Sequence, residues 1–163
     1  MANERMDGRR VAATLELSHR ILLVEDDVDE REATTCGFEL GGAEVTPAGD
    51  GGEALDALRN GPRPCVIVLD LDLPGMDGRE FRRRQLLWPQ MSSIPVIVLS
   101  GHPNLKVATW AMAPRAVFAK PVEFRQLLSA VDEYCADADP EAGALRRRLM
   151  RTHAWASASV RRH

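Results

Sequence analysis

Four short apolar runs constrain the fold of this chain more than any other feature. They lie at residues 21–24, 65–69, 94–99 and 116–119, and none of them alternates regularly with polar residues. An unalternating apolar run of this length, between segments long enough for a helix, is typical of a strand buried on both faces. Such strands occur mainly in parallel sheets that carry helices on both sides, so the runs favour an α/β domain.

The remaining segments complete an alternating pattern. A further short strand is predicted at residues 43–48. Helices are predicted at residues 29–40, 52–58, 79–87, 105–112 and 122–135. Glycine and proline follow most of these helices and indicate where they end. Five strands that alternate with five helices predict a doubly wound five-stranded parallel sheet.

Polar side chains lie at the carboxyl ends of the predicted strands. Glu25 and Asp26 follow the first strand, Asp70 follows the third, Ser100 the fourth and Lys120 the fifth. In a parallel sheet these ends share one edge, which is where doubly wound folds bind their ligands. Clustered carboxylates need a cation to remain ionised together, and oxygen ligands suit Mg²⁺.

The lysine is unusual in this chain, which has 19 arginines and two lysines. Lys120 directly after an apolar strand indicates a local need for a compact, flexible positive charge. Asp27 and Asp29 are interpreted as acids at a helix amino terminus, where they cap the helix. Asp70 has no such explanation, because an acid at the end of a buried strand is costly unless it is paired or metal-bound.

Together these segments resemble the receiver domain of bacterial two-component response regulators. The matching segments are residues 21–27, 66–78, 94–101 and 118–121. The most specific part is the block from Asp70 through Pro74-Gly75-Met76-Asp77-Gly78 with Lys120-Pro121 downstream. The resemblance covers residues 20–136 and implies the flavodoxin-like (βα)5 receiver fold.

The resemblance implies that Asp70 is the phosphoacceptor and that Mg²⁺ is the cofactor. The implied metal ligands are Glu25, Asp26, Asp70 and the backbone carbonyl of Asp72. Asp26 would hold the ion directly, and Glu25 would act mainly through water. The Asp70 carboxylate would attack a phosphohistidine and form an acyl phosphate.

Further roles follow from the same resemblance. Ser100 and Lys120 would contact the phosphoryl group, and the bond between Lys120 and Pro121 would be cis. Asp72 and His102, each two residues past a site residue, would tune the dephosphorylation rate.

Two departures from the family pattern bear on switching. Val117 occupies the position, three residues before the lysine, where the family usually has a switch aromatic, and Phe118 follows it. The 20 residues from Ser100 to Lys120 are fewer than is usual. The helix predicted at residues 105–112 is therefore expected to be short or irregular.

The expected function is that of a single-domain response regulator in a two-component phosphorelay. It would take its phosphoryl group from a sensor histidine kinase or a histidine phosphotransfer protein and signal by changing its binding of an unidentified downstream protein. It would assist its own phosphotransfer and dephosphorylation without being a dedicated enzyme, and homodimerisation is left open.

Two alternatives remain at this stage. The chain would be a receiver used as a binding module independently of phosphorylation, or a phosphatase of the haloacid dehalogenase type with Asp70 as nucleophile and Asp72 as acid. The second is disfavoured because that motif normally follows the first strand and because Leu73-Pro74 replaces its usual continuation.

Charge divides the chain into three parts. The net charge is −3 overall, but residues 20–136 carry −6 and residues 137–163 carry +3. We expect a polar extension at 1–19, a receiver domain at 20–136, and a basic tail at 137–163 that is flexible or forms a short helix. The tail is too short for a DNA-binding domain, and the acidic body argues against nucleic acid as a partner.

The three cysteines, Cys36, Cys65 and Cys135, form no CxxC pair. This spacing indicates neither a zinc site nor a disulfide framework, and we expect inert thiols in a reducing compartment. The sequence contains no signal peptide and no apolar run long enough to span a membrane. These features predict a cytoplasmic protein without a membrane partner.

Overall fold

The computed structural model describes residues 19–102 and 109–138. The strands within them are β1 (Arg20–Val24), β2 (Glu44–Ala48), β3 (Val66–Asp70), β4 (Val96–Ser100) and β5 (Ala116–Ala119). The α-helices are α1 (Val28–Leu40), α2 (Gly51–Asn60), α3 (Gly78–Leu86) and α4 (Phe124–Ala138). A 3₁₀-helix at Trp110–Met112 precedes β5.

All five strands are parallel and lie in the order β2-β1-β3-β4-β5. The predicted doubly wound parallel sheet is thereby confirmed. From β1 the chain adds β2 on one side and β3, β4 and β5 on the other. The strand order therefore reverses beside β1, and the carboxyl ends of β1 and β3 flank the crevice that this topology creates.

The three central strands are buried on both faces, whereas the edge strands β2 and β5 are partly exposed. Along β1, Leu22 and Val24 pack into the cluster on one face, whereas Ile21 and Leu23 pack into the cluster on the other. All residues of β3 and β4 are buried as well. Two-sided burial explains why β1, β3 and β4 are continuous apolar runs rather than alternating patterns, and the expectation of two-sided burial does not hold for β5, which lies at the edge of the sheet.

Aspartates begin three of the helices. The side chain of Asp27 accepts a hydrogen bond from the amide of Glu30 at 2.9 Å, and Asp77 caps α3 in the same way. Asp50 caps α2. These carboxylates satisfy amides that have no partner within the helix. The capping interpretation is confirmed for Asp27, whereas Asp29 lies in the first turn of α1.

Some predictions lie largely outside the described residues. They include the extension at 1–19, the tail at 137–163 and most of the helix predicted at 105–112. Of that helix, the structure describes the 3₁₀ turn at Trp110–Met112. Helix α4 continues to Ala138, beyond its predicted end at residue 135.

The expectation of three inert thiols is wrong for one pair. Cys65, just before β3, and Cys135, near the end of α4, form a disulfide although 70 residues separate them. The fold brings them together because α4 packs against the face of the sheet on which Val66 and Val68 of β3 lie. Cys36 is free and exposed.

Among the described helices, none combines the length and the apolar composition that a membrane-spanning segment needs.

Candidate phosphoacceptor site

The five side chains predicted at the strand ends meet at one edge of the sheet, which we call the carboxyl edge. Glu25 follows β1, Asp70 ends β3 and Ser100 ends β4, and all three are buried. Asp26 is exposed beside Glu25, and Lys120 follows β5. The parallel strand order produces this convergence, since every strand ends at the same edge.

Lys120 connects the buried acids. Its Nζ donates to Asp70 Oδ2 at 2.6 Å and to Glu25 Oε2 at 2.7 Å. It also donates to Glu30 Oε2, on the exposed first turn of α1, at 2.8 Å. The lysine therefore uses all three of its donors on carboxylates.

The backbone fixes where this lysine lies. The amide of Lys120 donates to the carbonyl of Ser100 at 3.0 Å, which extends the pairing of β5 with β4 by one residue. The following bond to Pro121 is cis, as the resemblance implied.

The start of α3 closely approaches the backbone of the loop that begins at Asp70 and Leu71. A Cβ at Gly78 would lie 2.5 Å from the carbonyl oxygen of Asp70 and 2.9 Å from the Cα of Leu71. Only glycine fits this backbone approach without displacing the loop. Gly78 therefore lets α3 begin directly against the residue that ends β3.

The acids outnumber the cations at this edge. Burial raises the pKa of Glu25, and the charge of Asp70 adds to this effect, although hydrogen bonding to Lys120 opposes it. Burial alone would lower the pKa of Lys120, but its hydrogen bonds to Asp70, Glu25 and Glu30 outweigh burial and raise it. Lys120 thus stays charged, while Glu25 is ionised at a cost that further positive charge would relieve.

This deficit of positive charge is what a divalent cation would correct. Glu25, Asp26 and Asp70 each offer a carboxylate oxygen, and these atoms lie within 4.8 Å of one another. Such hard oxygen donors, two of them buried, fit Mg²⁺. Asp72 has its side chain exposed, and its amide donates to Asp70 Oδ1 at 3.0 Å.

Ser100 is fully buried, and its Oγ accepts a hydrogen bond from the amide of His102 at 3.0 Å. This contact links the hydroxyl to the segment that leaves β4. The side chain of His102 is exposed.

Val117 and Phe118 lie on opposite faces of β5. Val117 packs against the cluster that contains Val98 and Met112, whereas Phe118 packs against the cluster that contains Ile97 and Leu99. Phe118 therefore does not take the place of an aromatic at position 117.

Two residues of the site, Glu30 and Arg31, were not predicted from the sequence. Glu30 is the third acceptor of Lys120. Arg31 donates through one guanidinium nitrogen to the backbone carbonyls of Glu25 at 2.7 Å and Asp26 at 3.0 Å. The sequence feature that could have indicated them is their closeness to the acidic pair Glu25 and Asp26, because both lie near the start of the helix that follows it.

Comparisons with known proteins agree with this geometry. Residues 21–132 match the family model of the response regulator receiver domain. The C4-dicarboxylate transport transcriptional regulatory protein DctD of Pseudomonas aeruginosa is 32% identical over 121 residues, which are 73% of this chain and 26% of that protein. The transcriptional regulatory protein FixJ of Bradyrhizobium diazoefficiens is 32% identical over 124 residues, covering 75% of this chain and 59% of FixJ. The chain thus spans less than two thirds of either relative.

Similar proteins of receiver length are also found. Protein PilH of Pseudomonas aeruginosa is 29% identical over 119 residues, which cover 72% of this chain and 98% of PilH. The solved structure of the chemotaxis response regulator CheY4 of Vibrio cholerae matches with a TM-score of 0.66 and 27% identity, covering 72% of this chain and 98% of that one. Because the family model matches more than half of the chain, the chain belongs to the response regulator receiver domain family.

Proposed function

We propose that this chain is a cytoplasmic, phosphoryl-accepting response regulator in which Asp70 receives the phosphoryl group. The donor would be the phosphohistidine of a sensor histidine kinase or of a histidine phosphotransfer protein. Phosphorylation would change the affinity for a downstream protein. The observation that carries the proposal is the buried Asp70 carboxylate, held by Lys120 beside Glu25 at the carboxyl edge.

The transfer is a displacement at phosphorus. An oxygen of Asp70 attacks, the new P–O bond forms, and the P–N bond to the histidine breaks with the electron pair leaving on the imidazole. Lys120 is already in contact with Asp70 Oδ2 and would shift its hydrogen bonds toward a phosphoryl oxygen. The buried hydroxyl of Ser100 would donate to another phosphoryl oxygen.

The acidic residues prepare the site for Mg²⁺. Glu25, Asp26, Asp70 and the backbone carbonyl of Asp72 would hold the ion, which supplies positive charge against the phosphoryl oxygens when bound. Lys120 keeps Asp70 and Glu25 in place, and Arg31 fixes the carbonyls of the acidic pair. Catalysis in this proposal consists of positioning and electrostatics. The chain would accept the group and would not act as a dedicated enzyme.

The test is phosphorylation by a small donor. The protein is incubated with acetyl phosphate and Mg²⁺, and its intact mass is measured. We expect a gain of one phosphoryl group, which disappears with excess chelator and in Asp70→Asn. The matched control is Asp56→Asn, at an exposed acid on α2 that pairs with Arg59. A folded wild-type protein that gains no mass, or an Asp70→Asn variant that still gains it, would contradict the proposal.

A second candidate function, binding independently of phosphorylation, is favoured by one observation. Val117 places no aromatic side chain against the face of β5 that a switch residue would use. Comparing backbone amide spectra before and after phosphorylation distinguishes the two functions. Shifts that reach β5 and the residues after Ser100 support the switch. An acyl phosphate that leaves those signals unchanged supports the binding module. The family match favours either function over the phosphatase interpretation.

A further inference from the structure

A second cluster of metal-ligand side chains lies at the opposite edge of the sheet, where the strands begin. His19 precedes β1, Cys65 precedes β3, and Cys135 lies near the end of α4. One potential ligand atom from each residue lies within 4.8 Å of the other two. His19 and Cys135 are buried and Cys65 is half-buried. These residues take no part in the phosphoacceptor site.

We propose that the dithiol form of Cys65 and Cys135 binds a divalent transition-metal ion of the Zn²⁺ type, with His19 as the third ligand. Two thiolates and an imidazole form a donor set that suits Zn²⁺, and three protein ligands leave one position open. The carboxyl edge presents only hard oxygen donors, so ligand softness directs different ions to the two edges.

The hydrogen bonding of His19 fits this role. Its Nε2 lies 3.0 Å from Asp132 Oδ1, one turn before Cys135 on α4. A carboxylate can only accept, so Nε2 carries the shared hydrogen, and Nδ1 is the nitrogen left to bind an ion. A carboxylate on the far nitrogen of a metal-ligating histidine fixes its tautomer and orientation. Asp132 is therefore a positioning residue in the proposal.

Regular structure holds the ligands before any ion binds. The carbonyl of His19 accepts from the amide of Glu44 at 2.8 Å, and the amide of Cys65 donates to the carbonyl of Arg20 at 2.8 Å. Helix α4 is anchored beside them by the buried Val131. The Cα atoms of the two cysteines are 5.0 Å apart, so both sulfurs can converge on one ion.

The structure contains the disulfide form, and conversion to the dithiol form needs a reductant. Two molecules of a small thiol supply two electrons and two protons, which yields two cysteine thiols and one disulfide of the small molecule. The thiols lose their protons to solvent when the ion binds, since the thiolate is the ligand. Metal binding and disulfide formation are thus mutually exclusive states of one site.

The test uses the full chain, reduced with a phosphine in anaerobic buffer that contains excess Mg²⁺ to occupy the carboxylates. Co²⁺ is titrated as a spectroscopic substitute, and Zn²⁺ is then added in competition. We expect one Co²⁺ per chain with thiolate charge-transfer absorption, displaced by Zn²⁺. The signal should be lost in Cys65→Ser and Cys135→Ser and unchanged in Cys36→Ser, which alters the exposed free cysteine.

Two further variants separate ligation from structural effects. His19→Ala should abolish the signal or weaken binding strongly, and Asp132→Asn should weaken Zn²⁺ binding about 10- to 100-fold, with unchanged circular dichroism. The oxidised wild-type protein should give no thiolate absorption, and this comparison needs no substitution. A reduced, folded protein without the absorption, or a signal that survives in Cys65→Ser, would overturn the proposal. The proposal is independent of phosphoryl transfer.

Discussion

At the scale of single residues, Lys120 is the centre of the site. Its ammonium group contacts Asp70, Glu25 and Glu30, two of which are buried. Without Mg²⁺ it is the cation that keeps the buried pair of carboxylates compatible with folding. The same contacts place it where a phosphoryl group on Asp70 would form. In the proposed function, stability and phosphoryl transfer would therefore both depend on one side chain.

Replacing this lysine tests the claim. In metal-free buffer at neutral pH, Lys120→Gln should lower the free energy of unfolding by about 3 kcal/mol, because it removes the positive charge that pairs with two buried carboxylates. Lys120 has a raised pKa, so its contribution is complete below its ordinary pKa of 10.5 and is lost only as the pH rises through the higher folded value. Urea unfolding measures the loss. Arg84→Gln, which removes an exposed pair with Glu80, should cost less than about 1 kcal/mol.

Replacing Glu25, unlike replacing Lys120, is expected to raise the free energy of unfolding. Burial and Asp70 raise its pKa above 4.5, so its ionised form destabilises the fold, and this penalty is relieved as the pH falls through the folded pKa. In chelator, Glu25→Gln should therefore stabilise the protein most at neutral pH, with an advantage that shrinks as the pH approaches 4.5. Urea unfolding across this range measures the difference. Glu32→Gln, at an exposed acid on α1, should show no such trend. An advantage that grows on acidification would contradict the assignment.

The sequence predicted part of this site because strand ends are visible in it. An acid or a lysine directly after an apolar run lies at the carboxyl edge of a parallel sheet, so its position follows from the sequence. Glu30 and Arg31 were not predicted, because the partner of an exposed helical charge depends on how the helix is placed against the sheet. The metal-ligand roles of Glu25, Asp26, Asp70 and Asp72 all remain predictions.

At the scale of elements, Arg82 connects α3 to the segment before β5. This buried side chain donates through Nε to the carbonyl of Met112 at 2.9 Å and through Nη2 to that of Ala113 at 3.2 Å. It also donates to Gln85. Ala113 has a left-handed backbone conformation with φ of 43°, which an alanine adopts only when its surroundings hold it there. Arg82 supplies that restraint.

Removing the restraint should loosen the approach to β5. Arg82→Ala leaves two carbonyls without their donor and should lower the free energy of unfolding by about 3 kcal/mol. Amide hydrogen exchange should accelerate most in residues 109–119. Arg83→Ala, on the same helix but in an exposed pair with Glu80, should cost less than about 1 kcal/mol and leave that exchange unchanged. Equal effects of the two variants would rule out the restraint.

Most elements were predictable to within a few residues, for local reasons. Two-sided burial makes the central strands β1, β3 and β4 largely apolar, and Asp27 marks the start of α1. The buried Arg82 was not predictable, because an arginine in an arginine-rich helix gives no sign that it faces the protein interior. Helix α4 extends past its predicted end because Ala136 continues its buried face.

At the scale of the whole molecule, the two edges of the sheet carry different chemistry. The carboxyl edge gathers carboxylates and one lysine, while the opposite edge holds the disulfide between Cys65 and Cys135. The disulfide ties the start of β3 to the end of α4. It was not foreseen, because cysteines so far apart in sequence are juxtaposed only by tertiary packing.

The cross-link should contribute strongly to stability. A disulfide that closes a loop of this length restricts the unfolded chain, and reduction should lower the free energy of unfolding by about 2–4 kcal/mol. Urea unfolding with and without a phosphine reductant, both in chelator, measures the change. Cys36→Ser should leave that difference unaltered, whereas Cys65→Ser should abolish it. Unfolding midpoints that coincide with and without reductant would contradict a formed disulfide.

The most direct test of the central claim is the position of the phosphoryl group. The protein is treated with acetyl phosphate and Mg²⁺, and borohydride then reduces any acyl phosphate to an alcohol, which converts the modified aspartate to homoserine. Peptide mass spectrometry locates that residue. The account predicts homoserine at position 70 and at no other carboxylate of the edge. Homoserine at Asp26 or Asp72 instead, or unmodified Asp70 in a folded protein, would contradict it.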